Sequence, residues 1–141
     1  MAADRVFLDA NVLFSAAYSL RHSLVPLWRQ KGVELITSAY AVEEALRNLS
    51  LQEQHRRLEV LLARTSVVPE SSLISLPDGV QLPGKDQPIL SAAIRAGATH
   101  LLTGDKEHFG ALIGKRVAGV LILSPAQYLN RPAGTFRRQN Q

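Results

Sequence analysis

The sequence predicts an α/β protein: a three-layer α/β/α sandwich around a central parallel sheet of about five strands. Three observations carry that expectation. Short apolar runs recur at Val6-Phe7-Leu8, Leu35-Ile36, Leu101-Leu102 and Val120 to Leu123, with helix-like segments between them. Runs of this kind suit interior strands, and their alternation with helices suits parallel pairing through right-handed crossovers. Acids follow two of the runs, at Asp9 and, beyond Thr103-Gly104, at Asp105.

Taken in order, Arg5 to Leu8 reads as a central strand, and Val12 to Leu20 as a helix. Ser23 is placed to cap a second helix through Gln30, with Pro26 in its first turn and Gly32 ending it; Leu24 and Trp28 read as packing residues. Val33 to Thr37 is the next strand. Ser38 then caps a helix from Ala39 to Leu49, whose apolar face is Val42, Ala45, Leu46 and Leu49. Glu43 and Glu44 both fall off that face, so periodicity does not choose between them. Ser50-Leu51-Gln52-Glu53 has the form of a capping box and opens a helix to about Arg64, with a basic outer face at His55, Arg56, Arg57 and Arg64. Ser66 to Val68 is a short strand closed by Pro69. The connection from Glu70 to Gly84 is long for a compact domain, and reads as a flap or a wandering edge loop. Asp86 opens a helix in which Pro88 is tolerated, and Gly97 stops it. Thr99 to Thr103 is a buried strand, Gly104-Asp105 a turn, Val120 to Leu123 the last strand, and Pro125 to Leu129 a short closing helix. Residues 1–130 then form a single domain, and 131–141 a flexible basic tail.

Composition narrows the class. The chain has 141 residues, long enough for one well-formed core, and 46% of them are hydrophobic. No apolar run approaches a membrane span, and no leader-like segment precedes Asp9, so a cytoplasmic protein away from membranes is expected. The absence of cysteine excludes disulfides and thiolate metal sites. Net charge is +4, a hint of a nucleic-acid partner that does not decide it; if four of the 12 acids occupy one pocket, the remaining surface is far more cationic than that figure suggests.

Each aspartate at a strand end or helix start has two readings, a helix cap or a charge placed in the crevice beyond the strands. If Asp9, Asp86, Asp105 and a glutamate of the 39–49 helix converge, the second reading gains weight. Two carboxylates about 5 Å apart repel by roughly 3 kcal/mol at an effective dielectric of 20, so four together require protons or a cation. An oxygen-rich cluster without cysteine or a histidine pair suits Mg²⁺ or Mn²⁺, which support phosphoryl chemistry. Other routes to that chemistry lack their motifs. Position 11 is Asn where a dehalogenase-type phosphatase needs a second Asp, a receiver domain needs an acidic pair, and no phosphate-binding glycine loop or Gly-x-Ser-x-Gly elbow is present.

Four segments together resemble a known family. Val6 to Leu13, Ser38 to Glu44, Asp86 to Leu90 and Leu102 to Phe109 are similar to the PIN domain, and most of all to the VapC-like ribonuclease toxins of toxin–antitoxin pairs. The resemblance spans Arg5 to about Leu129. It implies that Asp9, Glu44, Asp86 and Asp105 are the catalytic, metal-binding acids, with Asn11, Ser38 and Thr103 supporting them. Some relatives have another acid where this chain has Lys106. The family implies a Mg²⁺- or Mn²⁺-dependent endoribonuclease that uses metal-activated water and leaves 5′-phosphate and 3′-hydroxyl ends. It further implies a homodimer and a cognate antitoxin.

On that reading RNA reaches the acids across a basic rim of Arg47, Lys85 and Lys106, with His108 a fourth contact. Two alternatives use the same residues: a non-catalytic RNA-binding domain whose acids cap helices, and a metal-dependent DNA nuclease or phosphatase on the same scaffold.

Overall fold

A computed structural model of the chain describes residues 3–19, 24–69 and 76–131. Its centre is a six-stranded sheet in the order β3-β2-β1-β4-β6-β5, where β1 is Asp4–Leu8, β2 Val33–Ser38, β3 Ser66–Val68, β4 His100–Leu102, β5 Arg116–Val117 and β6 Val120–Leu123. The five expected strands pair in parallel; β5 adds an antiparallel edge to β6. Successive side chains of a strand point to opposite faces. In β1, Val6, Phe7 and Leu8 are all fully buried, so both faces of the sheet are covered by helices, and the three-layer expectation holds.

The extra strand is two residues long, too short to show a period. It exists because Ala118 and Gly119 turn with φ of 49° and 87° and fold Val117 back onto Val120. Both central residues of a two-residue hairpin take positive φ when its twist matches that of the strands.

The helices are α1 (Ala10–Tyr18), α2 (Ala39–Asn48), α3 (Gln52–Leu62), α4 (Gln87–Arg95), α5 (Lys106–Phe109) and α6 (Pro125–Leu129). α1 packs against α2 and α3, while α4 contacts α2, β2 and β4. Four local expectations are corrected. The second helix is a 3-10 segment, Val25–Arg29, with Leu24 at its cap position; Ser23 lies outside the described residues. The buried stripe of α2 is Ala41, Ala45 and Leu49, and Val42 and Leu46 are only partly covered, so the helix is rotated by about one residue from the expected face. The N-cap of α3 is Leu51 rather than Ser50, and Gln54 rather than Glu53 accepts its amide at 3.0 Å. Arg57 is no solvated outer charge: it donates to the carbonyls of Ala17 and Tyr18, which end α1.

Packing elsewhere follows the expected pattern. Trp28 is buried and its indole N–H lies 3.0 Å from both the Leu61 carbonyl and the Thr65 hydroxyl. Gly97 takes φ of 69° where α4 stops. Ser124 and Gln127 cap α6 reciprocally. The described part of the long connection, 76–84, contains no strand and anchors on buried Leu82; 70–75 and the tail from 132 lie outside the described residues. Among the described residues no helix is long and apolar enough to cross a membrane.

Strand order determines where a site can form. From β1 the chain moves outward through β2 to β3, then returns to the other side of β1 as β4. The carboxyl ends of β1 and β4 therefore flank a topological switch point, where open α/β sheets hold their ligands.

Candidate active site

Leu8 pairs with Leu102 in the last register position shared by β1 and β4, so the next residues, Asp9 and Thr103, emerge side by side. The Asp9 amide still donates to the Leu102 carbonyl at 3.1 Å, and the Thr103 amide to Leu123 at 3.0 Å. The Thr103 hydroxyl donates to Asp9 Oδ2 at 2.8 Å and accepts the Asp105 amide at 3.1 Å. Asn11 completes the lattice. Its amide nitrogen lies 3.2 Å from Asp9 Oδ2, and its oxygen accepts the Gly104 N–H at 2.7 Å. A Cβ at Gly104 would stand 3.3 Å from that oxygen, so this close approach favours glycine. Both expected readings of Asp9 hold at once, since Oδ1 accepts the first amide of α1, from Ala10, at 2.6 Å.

Asp86 and Asp105 come from other elements. Asp86 occupies the cap position of α4 but makes no capping bond there. Asp105 caps α5 through Oδ1, which accepts the His108 amide at 2.9 Å. His108 Nδ1 then lies 2.8 Å from Asp86 Oδ2 and 2.9 Å from Asp105 Oδ2. His108 is thus placed among the acids rather than on an outer rim.

Beside them opens a cleft of about 420 Å³, lined by Asp9, Asn11, Glu44, Lys85, Asp86 and Asp105 among others. Glu44 reaches the wall and pairs with Arg47 at 3.3 Å, whereas exposed Glu43 does not line the cleft. Lys85 is at its edge and Lys106 is exposed nearby in sequence to Asp105. Ser38 is buried and caps α2 through the Ala41 amide at 3.1 Å, positioning the helix that carries Glu44 without bonding an acid. Sequence reasoning passed over Tyr40, Asn48 and Phe14, which also line the cleft. The signal was present: Tyr40, Glu44 and Asn48 recur at intervals of four on one helical stripe. The Tyr40 hydroxyl donates to the Lys85 carbonyl at 2.8 Å, tying α2 to the segment that leads into Asp86.

Electrostatics register the crowding. Burial pushes the Asp9 carboxyl up to about 6, with Asp86 and Asp105 adding repulsion and the Thr103 and Ala10 hydrogen bonds opposing it. The Asp86 carboxyl is also raised, chiefly by burial and then by Asp105, against the pull of His108 and Lys85. A divalent cation suits this donor set. It would relieve repulsion that protons otherwise relieve, and the carboxylate oxygens are the ligand type that Mg²⁺ and Mn²⁺ take.

A PIN domain family model matches residues 5–107. The chain belongs to the PIN domain family, whose members are typically nucleases. Its fold is similar to a chain in the crystal structure of VapBC2 from Rickettsia felis bound to a DNA fragment from their promoter, with a TM-score of 0.57 and 16% identity over 85% of this chain and 98% of that one. No curated protein matches the sequence.

Proposed function

We propose that this protein is a divalent-metal-dependent endoribonuclease, and the toxin of a toxin–antitoxin pair. The observation that carries this reading is the convergence of Asp9, Asp86 and Asp105, from three separate elements, on one cleft that Glu44 also lines. A helix cap needs no such convergence. Asp9, Glu44, Asp86 and Asp105 would hold Mg²⁺ or Mn²⁺. Such an ion supplies Lewis acidity toward phosphoryl oxygens and a lowered pKa for water.

The chain's own residues do the positioning. Thr103 and Asn11 fix Asp9 so that its orientation costs nothing at the moment of reaction. Tyr40 holds the Lys85 backbone, keeping the lysine at the mouth where a phosphodiester enters. The similarity to a chain of VapBC2 with promoter DNA supports an antitoxin as partner. The same reading makes the protein a cytoplasmic homodimer.

One observation favours a second reading, a non-catalytic RNA-binding domain: His108 Nδ1 stands 2.8 and 2.9 Å from the Asp86 and Asp105 carboxylates, a contact within the acidic cluster that involves no ion. Incubating the purified chain with RNA and with DNA, in Mg²⁺, Mn²⁺ or chelator, separates the two. Internal RNA cuts with 5′-phosphate ends, abolished by chelator, are expected. RNA bound and left intact under every condition would support the binding domain, and DNA cleavage would move the substrate.

A further inference from the structure

α5 is one turn long, and that turn carries the only imidazole facing the acids among the described residues. Because His108 follows Asp105 by three positions, the turn that caps on Asp105 Oδ1 brings the ring back over Oδ2. One donor atom each from Asp86, Asp105 and His108 lie within 4.8 Å of one another.

Two of those atoms are anomalous. Asp86 Oδ2 and His108 Nδ1 are buried and 2.8 Å apart, yet neither has an aligned hydrogen bond. A buried polar atom left so is costly. The pair itself lacks the alignment of a good hydrogen bond, and a metal cation that takes a lone pair from each atom satisfies both at once. The spacing agrees. An octahedral ion with bonds of about 2.1 Å sets adjacent ligands roughly 3 Å apart, against 2.8 and 2.9 Å from Nδ1 to the two carboxylates.

We propose that His108 Nδ1 is a ligand of the ion held by Asp86 and Asp105, making this a mixed nitrogen–oxygen centre that selects Mn²⁺ over Mg²⁺. This rests on the reading of the cleft as a metal-dependent site. Mg²⁺ takes oxygen ligands almost exclusively, whereas imidazole suits first-row transition ions, so of these two ions a nitrogen ligand favours Mn²⁺. The ring then carries its proton on Nε2 and offers Nδ1 as the donor. The all-oxygen set expected from the sequence becomes a set with one nitrogen.

The experiment uses the full chain, free of RNA, with Mn²⁺ or Mg²⁺ alone as probe. Electron spin-echo spectra of the Mn²⁺ complex report directly whether a histidine nitrogen is coupled to the ion. Nitrogen coupling in the wild type, absent from His108→Gln, is expected. Calorimetry should show Mn²⁺ affinity falling at least about tenfold in the variant, a loss seen even for groups outside the ligand shell, with Mg²⁺ affinity little changed. Mn²⁺ bound without nitrogen coupling overturns the proposal, as does failure to bind Mn²⁺, or tighter binding of both ions by His108→Gln. The wild-type spectrum is decisive even if the variant does not fold. Nitrogen-coupled Mn²⁺ in a protein that cuts no RNA would leave this inference standing and remove the proposed function; RNA cleavage at an oxygen-only centre would do the reverse.

Discussion

Thr103 donates its hydroxyl to Asp9 Oδ2 across the seam between β1 and β4, at 2.8 Å and with both residues buried. The bond follows from register alone, since each residue is the next after the Leu8–Leu102 pair. It opposes the effect of burial without cancelling it, so the Asp9 carboxyl stays raised, at about 6.

Asp9→Asn should therefore abolish metal-dependent cleavage and stabilise the metal-free protein above neutral pH. The sign follows from linkage. The folded-state pKa is raised from 3.8 to about 6, so the favourable contribution of protonated Asp9 is complete below 3.8 and lost as pH rises through 6. At 1.36 kcal/mol per unit, the loss at pH 8 is about 3 kcal/mol as an upper figure. Denaturant titrations in chelator at pH 5 and pH 8 check it. The wild type should weaken relative to the variant between those values, and an unchanged difference would mean that Asp9 is solvated.

The strands and the residues that follow them were legible because burial on both faces writes a plain apolar run, and register then places Asp9 beside Thr103 with no further information. What depends on rotation about a helix axis was less legible. The apolar residues of α2 permit two faces one residue apart, and only packing of Ala41, Ala45 and Leu49 turns Glu44 rather than Glu43 to the cleft. The role of His108 was hidden for another reason. A single-turn helix has no period to read, and the neighbouring Lys106 made the segment resemble a basic rim. Leu51 at a cap position and a two-residue strand at Arg116–Val117 are likewise decided by tertiary contacts rather than by local preference.

Ala118 should yield a stabilised variant. It sits at φ of 49° in the β5–β6 turn, a left-handed conformation that costs an L-residue roughly 1–2 kcal/mol and that Asn or Gly adopts more readily. Ala118→Asn or Ala118→Gly is expected to raise unfolding stability by about 1 kcal/mol. Thermal and denaturant midpoints measure it. Neither variant should alter cleavage, because the turn lies outside the cleft lining; a fall in stability would show that residue 118 does not hold this left-handed turn in solution.

Paired substitutions test the rotation of α2. Glu44 lines the cleft and Glu43 is exposed away from it. Glu44→Gln should lose metal-dependent cleavage while Glu43→Gln keeps it, with both close to wild-type stability because neither carboxylate is buried. Equal losses, or loss at Glu43 alone, would place the other stripe of the helix over the acids.

The path of the RNA is the last and most exposed expectation. Lys85 stands at the cleft edge beside Asp86, and Lys106 follows Asp105, so a phosphodiester reaching the acids passes both. Arg47 is less available because it already pairs with Glu44 at 3.3 Å. Cations that bind phosphate position a strand without reading its sequence. Neutralising them should weaken binding to unrelated RNAs alike. For a single strand, each lysine–phosphate pairing removed should flatten the salt dependence by about 0.7 log units per log of salt. For Lys85→Ala with Lys106→Ala, the slope should fall by about twice that, while Arg47→Ala should change it least. Binding is measured on a metal-free or Asp9→Asn background so that cleavage does not deplete the RNA. A double variant whose affinity and salt slope match the parent would mean that RNA enters from another side, and the cleft's own carboxylates would then be the place to begin mapping that route.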